Sequence, residues 1–164
     1  KGDFAGALAM APELAQLIRD AAAATQTQAE GEIPKDIVPY VQSRLAWIKT
    51  RTELRAELSR LQAAIDKALK DADMAEATSE TKRLFDYLGK LDDRLEKKLE
   101  QITVAPAGPG RDKLKAEARG IIAEYRTELD SDFFKDVDSN NGFVPVSVRG
   151  AAISSLTSVA SALT

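Results

Sequence analysis

Two leucine-rich stripes constrain this chain more than anything else in it. Trp47, Leu54, Leu58, Leu61, Ile65 and Leu69 recur at steps of three, four or seven residues, and Leu84, Leu88, Leu91, Leu95, Leu99 and Ile102 do the same. At the helical period each set lines one face, with Lys, Arg, Asp and Glu on the other. Apolar faces this long must be buried, and the nearest surface for each is its counterpart. The segment 70–79 between them holds no Gly or Pro, so one continuous helix competes with a hairpin. Phase decides. Carrying the first seam forward by four heptads puts apolar positions at Lys82 and Asp86, whereas the second seam begins at Leu84 and Leu88. The slip requires a turn within 71–78, with Thr78 or Ser79 as the cap of the second helix and Glu80 as a favourable early charge.

The flanks extend the helical pattern. Asp3 caps a short helix over 3–10, and Pro12 opens another that carries Leu14, Leu17, Ile18 and Ala21 on one side. Lys1-Gly2-Asp3-Phe4 followed by Ala7 resembles the second helix of a tetratricopeptide unit over half of one unit, which implies a closely approaching neighbour helix. Residues 26–34 read as a loop, and Pro39 falls in the opening turn of the first long helix. Tyr40, Val41, Leu45, Trp47 and Ile48 make an apolar patch too wide for a two-helix seam, so a third helix is expected to cover it. Ala105 to Gly110 is the sharpest break. After it come a helix over 111–129, with Leu114, Ala118, Ile121, Ile122, Tyr125 and Leu129 inward, and a last one over about 145–163, with Val148, Ala152, Ile153, Leu156, Val159, Ala160 and Leu163 inward. The pairs Asp66 with Lys70, Asp86 with Lys90 and Asp93 with Lys97 mark the solvent side. These patterns predict an all-α chain: a multi-helix bundle on a long antiparallel hairpin (about 37–104), with shorter N- and C-terminal helices packed on it, as one domain over 1–164.

Composition narrows the chemistry. The 164 residues are 44% hydrophobic and only 5% aromatic, and they include neither Cys nor His. Without imidazole or thiol there is no Ser-His-Asp or Cys-His catalysis and no His- or Cys-based zinc or iron site. Carboxylates, Lys and Tyr are a thin inventory for an enzyme, so no catalytic residue and no cofactor is expected. The net charge of −3 is spread in both signs, with Arg51, Arg55 and Arg60 alternating with Glu53 and Glu57. No basic stripe with interleaved aromatics exists, which argues against nucleic acid. Lys1 stands first in place of Met and no signal pattern precedes it, so the chain is expected to be a piece of a longer polypeptide, with the cytoplasm favoured over secretion.

Three constellations remain. Asp136, Asp138 and Asn140 match the first three ligand positions of an EF-hand loop within the acidic run 130–142, but the sixth position is Asn141 where Gly is needed and the twelfth is Ser147 where an acid is needed. An ordinary turn, with Asn141-Gly142 supplying the left-handed conformation, accounts for the run better. Phe133, Phe134 and Phe143 flank it and are expected in the core rather than as an exposed anchor. Glu117, Glu124 and Glu128 share a face among arginines and read as a solvated surface. The functional expectation is a non-catalytic scaffold or interaction module for a protein partner or for neighbouring domains of a parent chain. The alternatives are a secreted or translocated bacterial factor with membrane-active amphipathic helices, which the interspersed charges disfavour, and a calcium-binding helical domain.

Overall fold

A computed structural model of the protein describes residues 37–164, so the expected helices over 3–10 and 12–25 and the tetratricopeptide-like stretch lie outside the described residues. Five helices follow in order: α1 (Val38–Asp71), α2 (Ala75–Val104), α3 (Pro109–Leu129), α4 (Asp132–Ser139) and α5 (Val148–Ala162). Among the described residues there is no strand. The compact unit Tyr40–Thr164 is an all-α bundle in which α2 packs on α3 and α3 on α5.

The hairpin is antiparallel, as cross-bonds at falling α2 numbers show. Tyr40 Oη donates to the Leu99 carbonyl at 2.6 Å, Arg44 pairs with Glu96 at 3.0 Å, and Arg51 pairs with Asp92 at 2.9 Å. Its turn is made without glycine. Asp73 takes φ 56°, while the Met74 and Asp73 amides bond the Leu69 and Lys70 carbonyls, which satisfies the orphan groups at the end of α1 in a Schellman arrangement. Asp tolerates the left-handed region better than most residues. Helix α2 therefore starts at Ala75, ahead of the expected cap. Thr78 lies inside it with its hydroxyl on the Met74 carbonyl.

The buried stripes follow the leucine pattern with one shift. Trp47, Leu54, Leu58 and Leu61 of α1 and Leu88, Leu91, Leu95, Leu99 and Ile102 of α2 are core, while Phe85 replaces Leu84 and the seam loosens at Ile65 and Leu69 towards the tip. From α3, Tyr125 sets its ring edge-on to Trp47 at 6.0 Å, covering part of the wide patch. Val41 and Leu45 stay exposed. Of the inward set on α5, Ile153 and Ala160 are only half-buried, and Ser155 is buried in addition. Helix α3 begins at Pro109, earlier than expected, because Gly108 at φ 137° turns the chain and proline suits a first helical position. Arg111 then reaches back to the Ala105 carbonyl at 2.9 and 2.6 Å and ties off the end of α2.

Candidate functional site

The acidic run is mostly helix rather than turn. Asp132–Ser139 form α4, so Asp136 and Asp138 project from opposite sides of a helix instead of converging from a loop. Only its end fits the expectation: Asn141 is left-handed at φ 54°, and the Gly142 amide bonds the Val137 carbonyl at 2.7 Å. Asp138 is engaged by Arg149 at 2.9 Å, and Asn140 Nδ2 donates to the Asp136 carbonyl. The candidate calcium ligands Asp136, Asp138 and Asn140 are thus not brought together. Arg149 also reaches Asp130 and the Leu129 carbonyl, so this cation gathers the ends of α3, α4 and α5. Phe134 and Phe143 are fully buried with Phe85 beside Phe134, and Phe133 is half-buried on the cluster edge.

On α3, Glu117 and Glu124 line one groove against α2. Glu117 binds Lys98 at 2.6 Å, and that bond holds its carboxyl below the usual range. Glu124 faces Arg94 and the Tyr87 hydroxyl, at 3.7 and 3.4 Å. Glu128 takes no part in either contact.

The most built polar arrangement lies on the hairpin seam, where Arg51 and Arg55, read in the sequence only as part of an alternating charge pattern, meet an aspartate that periodicity does not mark. Asp92 is only 3% exposed, with Arg51 Nε at 2.9 Å from Oδ1 and Arg55 Nη1 at 3.2 Å from Oδ2. Burial pushes its carboxyl up while both arginines oppose the shift. Arg55 is half-exposed and stands 4.0 Å from the open carboxylate of Asp93. Tyr125, from α3, is 1% exposed, and its phenol is pushed well above its ordinary value by burial and by Asp92.

Beside this network residues of α1, α2 and α3 line a cleft of about 150 Å³. Leu58, Phe85, Leu88 and Tyr125 give it an apolar floor, and Arg55, Ser59 and Gln62 form one wall. Gly89 and Asp93 stand opposite. A periodicity argument assigns charged residues to the solvent face, so a buried cross-helix pair such as Arg51–Asp92 escapes it. The usable signal was an aspartate adjoining the Leu91–Leu95 seam together with a glycine in a strong helix.

A second polar knot ties the loop before α5 to the hairpin. Glu57, nearly buried, accepts the Val144 amide at 2.9 Å and pairs with Arg60 at 2.9 Å, while Arg60 also donates to the Gly142 carbonyl. Among the described residues no helix is long and apolar enough to cross a membrane. No protein-family model, curated protein or solved structure matches the sequence.

Proposed function

We propose that this chain is a non-catalytic helical scaffold that binds a protein partner, or a neighbouring domain of a parent chain, at the open end of its hairpin. The observation that carries this reading is a set of solvent-facing aliphatic side chains gathered there: Val41 at 37%, Leu45 at 44% and Val104 at 82% exposure. The antiparallel pairing puts them at one end, since Arg44, next to Leu45, bonds Thr103, next to Val104, at 2.8 Å. Burying such side chains is favourable at roughly 25 cal/mol per Å². The cross-helix charges beside them are already matched, Arg44 with Glu96 and Thr103, so a partner can cover the patch without stranding them.

Photo-crosslinking in the cells that make the protein tests this. A crosslinking side chain at Leu45 or Val104 is expected to give the same discrete adduct, identified by mass spectrometry, and one at exposed Lys90 to give none. Leu45→Asp is expected to remove the adduct without lowering the melting temperature. Indiscriminate adducts, or none at either patch position, would overturn the proposal.

A further inference from the structure

The cleft over Tyr125 has the features of a ligand site, independently of the patch at the hairpin end. Three observations bear on it. First, it holds unmatched donors beside the open Asp93 carboxylate. Both oxygens of Asp92 are taken by Arg51 and Arg55, whereas no described partner meets the Tyr125 hydroxyl, and Arg55 contacts acids only through Nη1. A buried phenol normally finds a partner, so one that opens on a cleft invites an acceptor. Second, the floor of Leu58, Phe85 and Leu88 is apolar, and a space near 150 Å³ is the size that holds a benzene ring. Third, Gly89 sits inside α2, where glycine is less favourable than alanine. No close packing explains it, because a Cβ there would meet no atom within 4 Å. What the missing side chain leaves is room in the cleft wall.

We propose that this cleft binds a small carboxylate with a compact apolar body, aromatic or short-chain aliphatic, with the body on Leu58, Phe85 and Leu88 and the carboxylate between the Tyr125 hydroxyl and the free nitrogens of Arg55. Asp93 faces Arg55 across 4.0 Å in solvent, a weak contact that an incoming carboxylate displaces. The acidic residues at the cleft are balanced by Arg51 and Arg55, so a single negative charge enters a neutral surround.

The test is a titration of the full chain, labelled with nitrogen-15, using benzoate, benzyl alcohol and benzylammonium as probes. Benzoate is expected to shift the amide signals of Arg55, Gly89 and Asp92 saturably, with the alcohol weaker and the ammonium without effect. Tyr125→Phe should weaken benzoate about fivefold, the worth of one net hydrogen bond, and leave the melting temperature unchanged or raised, because the hydroxyl it removes has no partner in the fold. Gly89→Leu should abolish the shifts by filling the cleft. Should that variant fail to fold, Gly89→Ala, whose methyl meets open space, is expected to fold and to bind more weakly. Absence of saturable shifts, equal binding of benzoate and either other probe, or wild-type affinity in both Tyr125→Phe and the folded Gly89 variant would overturn the proposal.

Discussion

Removing the Phe134 ring should cost more than any other single truncation on the short helix α4. The ring is fully buried and meets Phe133 at 5.0 Å, Phe85 at 6.0 Å and Phe143 at 6.2 Å, drawing on α4, α2 and the loop before α5. Phe→Ala in a core costs about 3–5 kcal/mol through lost transfer energy and the cavity left behind. Each edge-on aromatic pair adds about 0.5–1.5 kcal/mol beyond area. Two of the three pairs here are edge-on, which places Phe134→Ala near the top of that range, at about 4–5 kcal/mol. Against a whole-domain stability of about 5–15 kcal/mol, that is a large fraction. With a urea dependence of about 2 kcal/mol per molar, the midpoint should fall by roughly 2 M.

The assay needs two probes, and the chain supplies both. Far-ultraviolet circular dichroism follows the helices, and Trp47, the single tryptophan and fully buried against Tyr125, reports tertiary packing by fluorescence. Because the ring cluster bridges separate helices, both transitions should move together. A loss below about 1 kcal/mol, or a shift seen by dichroism alone while Trp47 keeps its wild-type midpoint, would show that α4 unfolds by itself and would refute the reasoning.

Further outcomes follow from local geometry. Asp73→Gly should stabilise the hairpin turn by roughly 0.5–1 kcal/mol, since φ 56° strains an aspartate and not a glycine, and an unchanged or lower urea midpoint would contradict the Schellman turn. Gly142→Ala should destabilise by about 1–3 kcal/mol, because the added Cβ would stand 2.6 Å from Val137 Cγ1 and 2.8 Å from the Val137 carbonyl oxygen; chemical denaturation measures it, and a neutral result would count against that approach. The Glu117 carboxyl should titrate below its ordinary value because of Lys98, and carbon-13 NMR of the side chain should show the midpoint return upward in Lys98→Met. A lowered folded value makes this contribution present above the unfolded pKa and lost as pH falls through the folded one, so an acid limb that does not respond to Lys98→Met would contradict it.

What the sequence made legible was periodic. The leucine stripes located both arms of the hairpin, and the phase slip placed its turn, because burial repeats with the helix and a seam cannot jump phase without a break. The loop at Ala105 to Gly110 was equally readable from its Pro and Gly. Three things were not. The turn at Asp73 carries no glycine, so only phase betrayed it. Helix α4 hid in a run of Asp, Ser and Asn that reads as loop by composition, since its helicity depends on Phe134 and Phe143 docking from a distance. The seam pair Arg51–Asp92 stayed invisible because local rules match charges along one helix. Among the described residues none of the pairs Asp66–Lys70, Asp86–Lys90 and Asp93–Lys97 closes, and Asp93 faces Arg55 across the hairpin instead.

The cleft and the aliphatic patch both exist only if the chain folds back at Asp73. Electron–electron resonance distances between spin labels at exposed Lys49 and Lys97 measure that directly. For antiparallel helices packed about 8–10 Å apart, and allowing for the label arms, the distribution should centre at roughly 20–30 Å. A continuous helix through 71–75 would set the labels about 70 Å apart at 1.5 Å per residue, and a distribution centred there would contradict the hairpin and everything placed on it.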